Sequence, residues 1–152
     1  MLTFTSLDTL YLYDCPELES FPMGGLPPNL SDLSICNCPK LIGSREEWGL
    51  FQFQLNSLKY FTIDDDFENV ESFLEENLLI MNKKGFLHLK SLDCLYIEDC
   101  PTLESLTEKE DLPNSLTTLW IEPNCRIIKE KYEKEGRERW HTIGHIPEVR
   151  FW

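Results

Sequence analysis

Leu92-Asp93-Cys94-Leu95-Tyr96-Ile97-Glu98-Asp99-Cys100-Pro101 is the stretch that decides how this chain folds. Leu95 and Ile97 are two residues apart, so they share one face of a short strand while Tyr96 and Glu98 point the other way. The same spacing of apolar residues recurs as Leu7-x-x-Leu10-x-Leu12, Leu30-x-x-Leu33-x-Ile35, Leu58-x-x-Phe61-x-Ile63 and Leu116-x-x-Leu119-x-Ile121. Successive copies begin 23, 28, 34 and 24 residues apart, and the longer spacings require inserted segments. No single copy can cover its own apolar face, so the copies must stack on one another to make a continuous core.

Three residues after each motif stands a small side chain: Cys15, Cys38, Asp66, Cys100 and Asn124. At that point the chain leaves its strand, and a small donor turned inward would satisfy backbone groups of neighbouring coils that the turn leaves open. Leu26-Pro27-Pro28-Asn29 and Leu112-Pro113-Asn114-Ser115 lead into the next strand, with proline supplying fixed turns. The expected fold is an α/β leucine-rich-repeat solenoid. It is a curved right-handed coil with short parallel strands on its concave face, irregular turns and short helices on its convex face, and a C-terminal cap.

A second echo, Leu18-Glu19-Ser20-Phe21, Val70-Glu71-Ser72-Phe73 and Leu103-Glu104-Ser105-Leu106, is expected to pack the convex side. Two inserts exceed a standard coil. Residues 43–54 hold a helical turn at Arg45-Glu46-Glu47-Trp48 anchored by Trp48 and Phe51, and residues 68–90 read as a degenerate extra coil or, in preference, a short amphipathic helix through Phe73, Leu74, Leu78, Leu79 and Met81. After Cys125, Ile127, Ile128 and Tyr132 among charged neighbours form an amphipathic helix ended by Gly136. Trp140, Ile143, Ile146, Val149, Phe151 and Trp152 complete a cap. The division is therefore residues 1–122 as about five repeats and 123–152 as the capping segment. Leu7 opens the first motif almost at once, so the array is expected to continue upstream of this sequence.

Composition narrows the function. The 152 residues carry 27 acidic and 14 basic side chains, a net charge of −13, with 41% hydrophobic residues. That is too apolar for disorder and too acidic to neutralise a phosphate backbone or an anionic membrane. The acidity belongs to residues 1–122, whereas 123–152 hold a slight excess of basic groups. No apolar run approaches the ~20 residues of a membrane span, and no basic and apolar leader opens the chain. A cytoplasmic location with six reduced, structural cysteines is expected.

These residues resemble a known family. Leu10-Tyr11-Leu12-Tyr13-Asp14-Cys15-Pro16-Glu17-Leu18, Ile35-Cys36-Asn37-Cys38-Pro39-Lys40-Leu41, Leu112-Pro113-Asn114-Ser115-Leu116 and the ending Trp140-His141-Thr142-Ile143-Gly144-His145-Ile146-Pro147 are similar to the carboxy-terminal leucine-rich repeats of plant coiled-coil nucleotide-binding leucine-rich-repeat (NB-LRR) disease-resistance proteins. Asp66 without a following proline, and the extra residue in Glu122-Pro123-Asn124-Cys125, depart from the pattern. No Gly-x-x-x-x-Gly-Lys-Ser/Thr phosphate loop is present, so no cofactor is expected. The resemblance implies innate-immune defense by protein binding: recognition of a pathogen effector or a guarded host protein, and contact with an upstream nucleotide-binding domain that restrains the receptor. A stand-alone leucine-rich-repeat scaffold without a nucleotide switch is the alternative.

Candidate sites follow from the strand pattern. Tyr11, Ser34, Thr62, Tyr96 and Trp120 form one outward column, and Tyr13, Cys36, Asp64, Glu98 and Glu122 form the next, with Asp14, Asn37, Asp65 and Asp99 beside them. Aromatic anchors beside carboxylates suit a protein partner with a basic surface, and the expected contact residues are Tyr11, Tyr13, Asp64, Tyr96, Glu98, Trp120 and Glu122. The plainer reading is a solvated acidic sheet face. Asp64-Asp65-Asp66 with Glu68 lacks the alternation and glycine of a calcium loop. Cys36-x-Cys38, on one strand face, lacks a second ligand pair for zinc. His141 and His145 are four residues apart, but Gly144 and Pro147 break the helix that would bring them together, so a structural role in the cap is expected. No nucleophile and base are grouped, so neither a metal nor enzymatic activity is expected.

Overall fold

The computed structural model describes residues 6–21, 26–43, 55–64, 72–74, 89–107, 112–133 and 140–152. The five motifs become five strands, β1 (Thr9–Tyr13), β2 (Asp32–Cys36), β3 (Tyr60–Asp64), β5 (Cys94–Glu98) and β7 (Thr118–Ile121). A sixth, β8 (Glu148–Phe151), follows β7, and all six pair in parallel in the order β1-β2-β3-β5-β7-β8. Parallel neighbours need a crossover of a dozen residues or more, and the motif spacing provides it. The result is an α/β arrangement dominated by one six-stranded parallel sheet, with few helices.

Register follows the motif without slippage. Leu10, Leu33, Phe61, Leu95 and Leu119 are matched across the sheet, as are Leu12, Ile35, Ile63, Ile97 and Ile121. From β2 to β7 these residues are fully buried. Leu10 and Leu12 on the edge strand are only partly buried, like Val149 and Phe151 at the opposite edge. Each buried leucine or isoleucine contributes about 1.5–3 kcal/mol, and the loss of even one neighbour is why the two edges are weaker than the centre.

The connections repeat as closely as the strands. Pro27 and Pro113 carbonyls accept from the Leu30 and Leu116 amides at 3.1 Å each, the turns foreseen at those prolines. Leu58 and Leu92 close the same turn onto Leu55 and Leu89. Where a strand ends, Asp14, Asn37 and Asp99 take φ of 52°, 50° and 43°. Only Asn, Asp and Gly enter that left-handed region readily, so the sharp exit explains the residue type. Asn37 Nδ2 donates to Asp14 Oδ1 at 2.7 Å, linking two of these turns side by side.

Several expectations change. Cys36 and Cys38 do not share a face: the left-handed Asn37 between them breaks the alternation, leaving Cys36 at the outer surface and Cys38 fully buried. Three of the thiols also bond within their own coil. Cys15, Cys38 and Cys100 each donate to the carbonyl two residues back, at 3.3, 3.2 and 2.9 Å. In the last repeat the inward position belongs to Cys125, not Asn124. Cys125 is buried and accepts the Cys100 amide at 3.3 Å, whereas exposed Asn124 donates to Asp99 Oδ1 at 2.9 Å. Pro123 adds one residue to this turn, which shifts the count.

Within the insert read as a helix, residues 72–74 instead form a strand, β4 (Ser72–Leu74), paired in parallel with β6 (Ser105–Thr107) as a second sheet. Two of the three Glu-Ser-apolar echoes therefore contribute to a ladder, with Ser72 and Ser105 in register, whereas Leu18–Phe21 forms no strand. Residues 75–88, the turn at Arg45–Trp48, Phe51 and Asp66 lie outside the described residues. A short helix, α1 (Pro39–Gly43), begins on proline, where a missing amide costs nothing.

Residues 123–152 bring α2 (Arg126–Tyr132), α3 (Trp140–Ile143) and β8. Ile128, Tyr132, Ile143 and Ile146 join the same core as the repeats. The Tyr132 hydroxyl accepts the Leu106 amide at 3.2 Å, so this phenol is both filler and hydrogen-bond partner for β6. His145 lies 3.3 Å from the Pro113 carbonyl, tying the chain's end to the turn before β7.

Candidate functional site

Alternation along each strand leaves one sheet face covered by the core and the other open. The open face holds three columns at strand positions one, three and five. The central column runs Tyr11, Ser34, Thr62, Tyr96, Trp120, as expected from the motif, and continues to Arg150 on β8. The next runs Tyr13, Cys36, Asp64, Glu98. Glu122 follows β7, its amide bonded to the Ile97 carbonyl at 3.0 Å. The structure thus gathers all seven sequence-assigned residues on one face.

Sequence reasoning missed the first column, in which Thr9, Asp32, Tyr60, Cys94, Thr118 and Glu148 are matched. It obeys the same two-residue period and was legible by stepping back two positions from the central column. Arg150 and Trp152 were not legible in this way, because β8 lacks the leucine motif.

The aromatic groups lie in two clusters. Tyr11 and Tyr13 are each 54% exposed and meet edge to face at 6.4 Å between ring centroids. Tyr96, Trp120 and Trp152 form a chain of edge-to-face contacts, at 5.1 Å and 6.5 Å. The Arg150 guanidinium sits 5.1 Å over the Trp120 ring, and its Nε is 2.7 Å from Glu148 Oε1. Trp120 Nε1 is buried and, among the described residues, has no hydrogen-bond partner.

A shallow depression of about 310 Å³ lies between β1 and β5, with Tyr13, Asp32, Asp64, Tyr96 and Glu98 among its walls. The Tyr11 hydroxyl donates to Asp32 Oδ2 at 2.8 Å, and this acceptor raises the phenol's pKa above its ordinary value. The Cys36 thiol donates to Asp64 Oδ2 at 2.8 Å; burial first and then that carboxylate push its pKa up to about 12. Cys36 is therefore a neutral donor at physiological pH and no nucleophile. Burial, followed by the Asp64 and Glu122 carboxylates, raises the Glu98 pKa. Aromatic rings and carboxylates thus lie side by side along this depression. Among the described residues, no three His, Cys, Asp or Glu side chains cluster as a metal site. Likewise, no described helix is long and apolar enough to cross a membrane.

Comparison with known proteins finds similar sequences in one plant group. Over 142 residues, 83% of the chain, it is 35% identical to an Arabidopsis thaliana protein named as a disease resistance protein. The chain is a relative of plant disease-resistance proteins. Two more of that group from Arabidopsis thaliana, named RF45 and RDL5, are each 26% identical across 96% of the chain. The chain spans only 10% of the length of the first relative and 15% of the other two. No family model matches the chain, and no solved structure does.

Proposed function

We propose that this chain is a leucine-rich-repeat region, a right-handed solenoid whose open sheet face is concave and binds protein. Within a disease-resistance receptor it contributes to recognition of a pathogen effector, or of a host protein the receptor guards. Before recognition it helps hold the receptor inactive through contact with an upstream nucleotide-binding domain. The role is one of binding in the cytoplasm, without catalysis, cofactor, nucleic acid or membrane. The observation that carries this reading is the register. Five strands, matched residue for residue, set Tyr11, Tyr96 and Trp120 beside Asp64, Glu98 and Glu122 on one uncovered face. Aromatic residues provide interface energy, and a row of carboxylates selects and steers a basic partner.

Restraint and release form a population shift, in which a ligand moves the receptor only by its preference for the open state. The test is to reverse the charge of Asp64, Glu98 and Glu122 together in a full-length receptor. Loss of effector response, or activity without effector, is expected. A receptor with normal recognition and no autoactivity would sink the proposal.

A further inference from the structure

The open face has a more specific chemistry than general acidity. Asp64 and Glu98 are register partners on adjacent strands, so their backbones stand about 5 Å apart, and Glu122 extends the row. Among the described residues no lysine or arginine pairs with any of the three. Four of the seven described lysines and arginines pair elsewhere: Lys40 with Glu17 and Glu19, Lys129 with Glu133, Lys131 with Glu104 and Arg150 with Glu148. Farther along the same face, one guanidinium is already seated. Arg150 lies 5.1 Å over Trp120 with its Nε on Glu148, a ring and a carboxylate serving together. The depression offers the same pairing, Tyr13 and Tyr96 with Asp64 and Glu98, and Tyr96 touches Trp120 edge to face.

Resting on the interaction-face reading above, the geometry points to an arginine side chain of the partner protein as the occupant of the depression between β1 and β5. Its guanidinium would be set against Asp64 and Glu98 and flanked by tyrosine rings. Arginine fits better than lysine for three reasons. Its planar fork can serve two carboxylates at once, it stacks on aromatic rings, and it sheds water more readily than an ammonium. The net charge of −13 favours approach of such a segment at low salt.

The experiment titrates the 152-residue chain with a short blocked peptide bearing one central arginine, and with its lysine and citrulline counterparts, following backbone amide shifts by NMR. The arginine peptide is expected to shift amides of β3 and β5. The lysine peptide should bind at least about 3-fold more weakly, and the neutral citrulline peptide should produce no saturable shift. Asp64→Asn with Glu98→Gln should weaken arginine binding about tenfold or more, while Glu17→Gln on another surface leaves it unchanged. Removing like charges does not threaten folding, so loss of binding in the double variant reads the site itself. Equal binding of arginine and lysine peptides, shifts centred on Glu17 and Glu19, or no saturable binding would each overturn the assignment. If the peptides fail while the triple charge reversal still alters the receptor, the arginine site falls and the interaction face stands; if both fail, the face falls with it.

Discussion

Replacing Cys125 and Asn124 separately by alanine tests which of the two turns inward to support the last repeat. The Cys125 thiol is fully buried, accepts the Cys100 amide at 3.3 Å and lies 3.7 Å from the Ile97 carbonyl. Cys125→Ala removes buried sulfur, about 1 kcal/mol. It also leaves the Cys100 amide without its acceptor in a place water does not reach, about 1–3 kcal/mol more. The expected loss is about 2–4 kcal/mol. Asn124 is exposed and donates to Asp99 Oδ1 at 2.9 Å, a bond that water can replace. Asn124→Ala should therefore cost about 0.5 kcal/mol or less. Urea unfolding followed by circular dichroism would resolve the difference as a shift in midpoint at unchanged slope, provided both variants unfold cooperatively. An Asn124→Ala loss as large as that of Cys125→Ala would show that the inward residue is the asparagine, as simple counting from the motif places it.

Glu98→Gln should stabilise the fold at pH 7 by a few tenths of a kcal/mol up to about 1 kcal/mol, the scale for like charges on facing strands. Burial and the neighbouring carboxylates raise the Glu98 pKa above its ordinary 4.5. The fold therefore binds this proton more tightly than the unfolded chain does. Its contribution is fullest in acid and is lost as pH rises through the folded-state value. The glutamine variant should flatten that decline, and an unchanged pH slope in chemical unfolding would refute the cause assigned. Phe61, fully buried and in register between Leu33 and Leu95, should cost about 3–5 kcal/mol as Phe61→Ala. A loss below about 1 kcal/mol in the same urea assay would place it outside the core.

The central strands were legible because two independent regularities coincide there. The motif fixes where a strand begins, and the two-residue period fixes which side chains point outward, so Tyr11, Ser34, Thr62, Tyr96 and Trp120 could be aligned without coordinates. The failures lie where one regularity stops. Asn37 enters a left-handed turn, and alternation no longer relates Cys36 to Cys38. Pro123 lengthens one turn by a residue, and counting puts Asn124 where Cys125 belongs. In β4, three residues are too few for a strand period to compete with the helical spacing of the surrounding apolar residues. In β8, Glu148-Val149-Arg150-Phe151 alternates polar and apolar, yet without leucines it reads as cover for the last repeat rather than as its neighbour in the sheet. Parallel pairing with β7 is a tertiary fact, set by the crossover through α2 and α3.

The open face also departs from what stability alone would select. The Asp64 and Glu122 carboxylates, after burial, disfavour the charged form of Glu98 on this face. Trp120 Nε1 is buried without an acceptor among the described residues, at a cost of about 1–3 kcal/mol. Tyr11 and Tyr13 keep more than half of their surface in water, on an edge strand whose Leu10 and Leu12 are partly buried. On the opposite side of the same strands no such conflict occurs: Leu33, Phe61, Leu95 and Leu119 are buried, matched and uniformly apolar. A sequence whose local choices agree on one face and conflict on the other locates its functional constraint on the second. A cationic partner would relieve the first of these conflicts and cover the third. Under the proposed function, a bound partner would supply to the acidic and aromatic columns what the fold alone does not.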